Sequence, residues 1–182
     1  LGRVEGVELG GEHDAELTDE VEEWKIQRSL QMVREMGAPW IVELFPWAYY
    51  HAADGGIAWE HPDMVIEHAH AQGLQVIARI GLTPGWARPA DTPLNYLDAD
   101  GYPHFAEFAA RFAARYQGKV SHMIVGNEPN LSFEWGYRAA TAADYVALLE
   151  VVYPAVKAAN PEMIVLGGAL APTLEPEGSP WG

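Results

Sequence analysis

The hexapeptide Val125-Gly126-Asn127-Glu128-Pro129-Asn130 decides how this chain is read. It closes an apolar run, Met123-Ile124-Val125, of the kind that forms a buried strand. The run stops at Gly126 and then presents an amide, a carboxylate and a proline in succession. A carboxylate at the end of a buried strand serves no packing purpose, because burying it ionised and unpaired costs on the order of several kcal/mol. Two readings follow. Either this is an ordinary strand-to-loop turn with Glu128 solvated, or Glu128 is held at the strand end for its chemistry. The flanking sequence chooses between them.

Working outward, apolar runs alternate with amphipathic stretches. Before the hexapeptide, Phe105, Phe108, Ala109, Phe112 and Tyr116 recur at helical spacing, and Gly118 closes that helix. Residues 74–80 (LQVIARI) read as a strand, followed by the turn-rich Gly81-Leu82-Thr83-Pro84-Gly85-Trp86. Pro62 suits the first turn of a helix that carries Val65, Ile66 and Ala69 and stops at Gly73. Residues 40–45 (WIVELF) form an earlier strand that runs into Pro46, Trp47, Tyr49, Tyr50 and His51. Asp19 with Glu22 predicts a capping box for a helix through Ile26, Leu30 and Val33, ended by Gly37. Residues 4–9 are the first and weakest strand. After the hexapeptide, Thr141 can cap a helix through Tyr145, Leu148, Leu149 and Val152, with a kink expected at Pro154 and an end at Asn160-Pro161. Residues 163–166 are the fifth strand, followed by Gly167-Gly168.

Strands separated by amphipathic helices mean a parallel sheet. The expected fold is α/β, an incomplete (β/α)8 TIM barrel. It holds about the first five strands with four intervening helices, in one partial-barrel domain over residues 1–182, and strands six to eight lie outside it. The spacing of roughly 35–45 residues per unit suits a barrel with elaborated loops. Gly10-Gly11-Glu12-His13 lacks the G-x-G-x-x-G pattern, so a dinucleotide fold has little support. Catalytic groups of such barrels sit where the strands end, which makes Glu128 a catalytic candidate.

Composition narrows the classes. The 182 residues are 49% hydrophobic, which argues against disorder. A net charge of −15 disfavours nucleic acid and anionic membrane surfaces, both of which need basic patches. The chain has no cysteine, and no apolar run approaches the ~18 residues of a membrane span. It opens on Leu1 rather than methionine, so a longer natural product is expected and localisation is left unassigned. His68-Ala69-His70 on a helix would point two rings to different faces, and no zinc pattern is present, so no metal or cofactor is expected.

The loops after three successive strands each carry a tryptophan: Trp47, Trp86 and Trp135. In a parallel sheet those loops open on one face. Aromatic rings there would suit the C–H faces of sugars. The alternative is that they pack the loops over the barrel.

The sequence resembles the clan A glycoside hydrolases, with families 39 and 5 nearest. The resemblance is carried by Gly56, Trp59 and Asp63, then Gly73-Leu74, Thr83-Pro84-Gly85-Trp86, Arg115-Tyr116, Gly126-Asn127-Glu128-Pro129-Asn130 and Leu166-Gly167-Gly168. It implies that Glu128 is a general acid/base, that Asn127 contacts the sugar 2-hydroxyl, and that the substrate is a carbohydrate. Trp47, Trp86 and Trp135, with Glu43 and His51, would line its cleft. Pro129 is expected to hold Glu128 extended. Two departures stand out. Clan members usually place an arginine near the end of strand two, where the nearest residue here is Glu43. Their nucleophile ends strand seven, whereas this chain stops after strand five, and Glu134, Glu175 and Glu177 read as solvated loop carboxylates. The expectation is therefore the N-terminal portion of a retaining O-glycoside hydrolase, inactive alone, whose open barrel edges favour poor stability or oligomerisation. The alternative is a non-catalytic carbohydrate-binding or scaffold domain on a degenerate barrel.

Overall fold

The computed structural model describes residues 15–174, with side chains from residue 23 onward. The first predicted strand, residues 4–9, lies outside the described residues. Helix α1 spans Ala15–Glu35. Asp19 and Glu22 are thus inside it rather than at its start, which corrects the expected capping box: the alanine, leucine and glutamates of this stretch are good helix formers and extend the helix upstream. Its end is as expected. Gly37 adopts φ +81°, the Ala38 N–H bonds the Val33 carbonyl at 3.3 Å and the Gly37 N–H bonds that of Arg34 at 2.9 Å. These are the two bonds of a Schellman stop.

The chain then runs β1 (Trp40–Pro46), a one-turn α2 (Trp47–Tyr50), α3 (Glu60–Ala71), β2 (Gln75–Gly81), α4 (Tyr102–Arg115), β3 (His122–Val125), α5 (Ala142–Ala159) and β4 (Ile164–Gly167). The strands form one sheet in the order β1-β2-β3-β4, every neighbouring pair parallel. Sequential strands pair through helical crossovers, the arrangement of consecutive barrel units. Thr141 caps α5 by accepting the Asp144 N–H at 3.1 Å, and the helix continues through Pro154 to Ala159.

Register sorts the strand residues into two faces. Phe45, Ile80 and Val125 share a row, as do Ala78 and Met123 beside them, and all five are wholly buried. They meet the apolar stripe of α4, where Phe105, Phe108, Ala109, Phe112 and Ala113 are buried; each buried Phe adds roughly 1.5–3 kcal/mol. The other face is open. Val42, Ile77, His122 and Ile164 form one of its rows, and Val42 and Ile164 are 54% and 47% exposed. The strands are therefore buried on their helix side and only partly covered on the side that faces inward in a barrel. Among the described residues, no helix is long and apolar enough to cross a membrane.

Candidate active site

All strand C-termini lie on one edge of the sheet, and the loops after β2 and β3 build the site there. After Val125 the ladder continues for one bond, from Gly126 N–H to the Ile80 carbonyl at 2.9 Å. Gly126 then takes φ +71° and Glu128 takes φ +32°. Glu128 is thus in the left-handed region, not extended as the following proline suggested. A turn follows it: Leu131 N–H bonds the Glu128 carbonyl at 2.9 Å, with Pro129 at the turn position it prefers. A non-glycine residue in that region costs about 1–3 kcal/mol and persists only where its surroundings hold it. They do so here. Trp135 Nε1 donates to the Pro129 carbonyl at 2.9 Å. Asn130 exchanges two hydrogen bonds with the Ala171 backbone, at 3.1 and 2.8 Å. Gly168 lies so close that a Cβ on it would stand 3.0 Å from Cδ of Pro129.

Asn127 sits at the centre of a polar chain. Arg79, on β2, donates from Nη1 to Asn127 Oδ1 at 2.9 Å, and Asn127 Nδ2 donates to Glu134 Oε1 at 2.6 Å. Register places Arg79 between Leu44 and Ile124, on the open face of the sheet. Its Nε is buried and has no hydrogen-bond partner among the described residues. Glu134 comes from the 3-10 turn Ser132–Trp135. Burial pushes its carboxyl above the usual range, the Asn127 hydrogen bond pulls it back, and the nearby Glu128 charge raises it further. These groups border a cavity of about 470 Å³ whose walls are mostly apolar, including Leu97, Phe105, Phe133 and Trp135. Tyr145 of α5 closes one side; its hydroxyl donates to the Val125 carbonyl at 2.8 Å and accepts the Gly168 N–H at 2.6 Å. It thereby ties the ends of β3 and β4 together.

The expected site residues are divided by this geometry. Asn127 and Trp135 line the cavity, and Glu128 stands between Asn127 and Pro129 without being part of its wall. Trp47 is wholly buried, packed edge-on to Phe105 and Trp86, so packing rather than a cleft describes it. His51 is only 4% exposed and accepts from Trp47 Nε1 at Nδ1, 2.9 Å away. Burial, with help from Arg111, lowers the affinity of His51 for a second proton. Trp86 is 37% exposed and donates from Nε1 to the His51 carbonyl at 2.8 Å. Glu43 pairs in register with Ala78, so it belongs to the helix-covered face and not to the cavity. Burial raises its carboxyl, and the Arg79 charge opposes that.

Three contributors escaped sequence reasoning. Arg79 does carry a signal in the sequence: a cation inside the apolar run LQVIARI needs a partner if it is buried. The partner lies in the loop after another strand, where no local pattern reveals it. Glu134 reads in sequence as a solvated loop carboxylate, and only the turn that folds it back onto Asn127 brings it in. Tyr145 reads in sequence solely as a helix-face residue. Elsewhere, residues far apart in sequence meet as one cluster. Arg115 binds both carboxylate oxygens of Asp63, Tyr116 Oη donates to Asp63 at 2.8 Å, and the Arg115 guanidinium lies 5.1 Å from the Trp59 ring centroid. Among the described residues, no group of three or more His, Asp or Glu side chains is arranged to hold a metal ion.

No protein-family model matches the sequence. No curated protein matches it either. Solved structures do, and family 39 and family 5 glycoside hydrolases are among them. A family 39 enzyme from the gut symbiont Bacteroides cellulosilyticus superposes with a TM-score of 0.67 at 24% identity, over 79% of this chain and 28% of that one. The family 39 enzyme from Xanthomonas axonopodis pv. citri gives 0.65 at 16% identity, over 81% and 32%. A family 5 enzyme from Bifidobacterium longum, in complex with Manβ1-4GlcNAc, gives 0.61 at 15% identity, over 84% and 39%. The likeness establishes the fold: four parallel strands alternating with helices, as in part of a (β/α)8 glycoside hydrolase barrel. The chain spans well under half the length of each of these structures.

Proposed function

We propose that this chain carries the acid/base side of the active site of a retaining O-glycoside hydrolase acting on a carbohydrate. The observation that supports it is the placing of Asn127-Glu128 directly after a parallel strand, at the sheet edge where barrel enzymes keep their catalytic groups. Protonated, Glu128 donates to the glycosidic oxygen as the bond to the leaving group breaks; ionised, it then takes a proton from the water that releases the glycosyl-enzyme. The nucleophile is a second carboxylate about 5–5.5 Å away, supplied from outside this chain. Asn127 has two amide hydrogens. One is committed to Glu134, which leaves the other for a sugar hydroxyl.

The test uses the full-length natural protein. Glu128→Gln should cost far more turnover on substrates with poor leaving groups than on activated aryl glycosides, since only the former need proton donation. Equal loss on both removes the acid role. A second reading, a non-catalytic carbohydrate-binding domain, draws on the position of Glu128 outside the cavity wall that Asn127 and Trp135 form. Sugar binding by the full-length protein without hydrolysis of any aryl glycoside would favour it.

A further inference from the structure

We infer that Glu134 is a positioning residue that, together with Arg79, fixes which end of the Asn127 amide is oxygen and which is nitrogen, and so aims the remaining N–H of Asn127. The argument starts from what each partner can do. A guanidinium only donates, and an ionised carboxylate only accepts. Arg79 Nη1 at 2.9 Å therefore requires Oδ1 of Asn127, and Glu134 Oε1 at 2.6 Å requires Nδ2. Either contact alone would favour one orientation of the amide. The two together leave it no alternative, because a flipped amide would set N–H against guanidinium and oxygen against carboxylate.

Glu134 is itself held in place. Ser132 and Trp135, the first and last residues of its 3-10 turn, are buried, and Asn95 Nδ2 donates to the Phe133 carbonyl. Gly136 ends the turn at φ +67°, where a Cβ would stand 2.7 Å from Cα and Cβ of Tyr96. The turn therefore packs closely against the Tyr96 backbone, with room there for a glycine only. The charged groups acting on Glu134 are Arg79, from β2, and Glu128, from its own loop. Protonating Glu134 removes the charge assistance from its bond to Asn127, roughly halving the strength of that bond. Asn127 thus reports the protonation state of Glu134.

The consequence for substrate rests on the proposed function, but the geometry does not, and the experiment separates them. The full-length protein is labelled with 15N-asparagine, and the Asn127 side-chain amide, assigned by its loss in Asn127→Asp, is followed between about pH 4 and 8. The expected result is a titrating amide in the wild type. Glu134→Gln abolishes that titration, whereas Glu128→Gln retains it with a lower midpoint, because a like charge beside Glu134 is gone. An amide that does not titrate in the wild type, or titrates unchanged in Glu134→Gln, overturns the inference. In the kinetic arm, Glu134→Ala lowers kcat/KM about tenfold or more on a substrate bearing a 2-hydroxyl and far less on its 2-deoxy analogue, and Glu134→Gln, which keeps an acceptor oxygen, recovers most of the loss. Equal losses on the two substrates overturn the inference. A protein that hydrolyses nothing refutes the proposed function while the amide titration still judges Glu134.

Discussion

Asn127 and Glu134 are joined by a 2.6 Å hydrogen bond that spans seven residues of one loop. The bond makes that loop a closed unit, fixed at one end to β3 and at the other to the Trp135 anchor. The loop also carries a second carboxylate, Glu128, whose charge raises the proton affinity of Glu134. The compensating charge comes from outside the loop, from Arg79 on β2.

Replacing Arg79 by leucine should therefore destabilise the protein even though it puts an apolar residue on an apolar strand. Arg79 lowers the proton affinity of both Glu43 and Glu134 against the effect of burial, and it is the donor to Asn127 Oδ1. The loss is expected to be about 1–3 kcal/mol near neutral pH, and smaller in acid, where both carboxyls are protonated and need no cation. Urea unfolding at two pH values measures it. A variant as stable as the wild type at neutral pH contradicts this role.

Asp63 presents the opposite sign. The Arg115 hydrogen bond is the largest cause holding its carboxyl below the ordinary range, assisted by Tyr116 and opposed by partial burial. A folded value below the unfolded one means that the unfolded chain binds the proton more readily. The stabilisation is then present above the unfolded value of about 3.9 and lost as pH falls through the folded one. Asp63→Asn should cost about 1 kcal/mol at pH near 7, a figure kept low because the pair is partly exposed, and almost nothing near pH 2. A difference that is equal at the two pH values, measured by denaturant titration, would show that the side chain matters for shape rather than charge.

How much of this was legible in the sequence follows from which forces are local. Helix stops, turns and the apolar alternation are written in adjacent residues, so Gly37, the α4 stripe and all four described strands were readable within a residue or two. The N-terminus of α1 was not, because Asp19 and Glu22 fit a cap and a helix interior equally well. At the site, Asn127 and Glu128 stood out because a polar pair at the end of an apolar run is locally anomalous. Arg79 and Glu134 acquire meaning only through partners 48 and 7 residues away. The tryptophans divide for a related reason: a loop aromatic carries no mark of whether it turns inward, and Trp47 turned in while Trp86 stayed half out.

Trp47 and His51 give a test of that division. The indole N–H can only donate, so His51 Nδ1 must accept, which fixes the neutral ring with its proton on Nε2. Burial keeps the ring neutral, so its folded pKa lies below the unfolded value of about 6.5. The associated stability is full above that value and lost as pH falls through the window below it. Trp47→Phe retains an aromatic core residue but orphans the buried Nδ1, and should cost about 1–3 kcal/mol at neutral pH. The penalty should shrink in acid, as the freed ring nitrogen becomes able to protonate. Sugar affinity of the full-length protein should not change. Loss of affinity with stability intact would return Trp47 to the cleft.

The last prediction concerns Gly168, which touches the site without belonging to it. An added Cβ would stand 3.0 Å from Cδ of Pro129 and 3.5 Å from Cα and C of Asn127. Its own N–H is held by Tyr145 Oη at 2.6 Å, so β4 cannot simply retreat. The strain of Gly168→Ala should instead fall on the turn that holds Glu128 at φ +32°. A displacement of a few tenths of an ångström is cheap for folding, on the order of 1 kcal/mol. It is expensive for catalysis, where misplacing a reacting group by about 1 Å can cost 100-fold. On the proposed function, the variant of the full-length protein should therefore unfold nearly as the wild type does, yet lose about tenfold in kcat for glycosides with poor leaving groups with little change in KM. If activity and stability fall together, the contact supports the fold as a whole. If neither falls, the Pro129 turn is more compliant than its anchors at Trp135 and Asn130 imply.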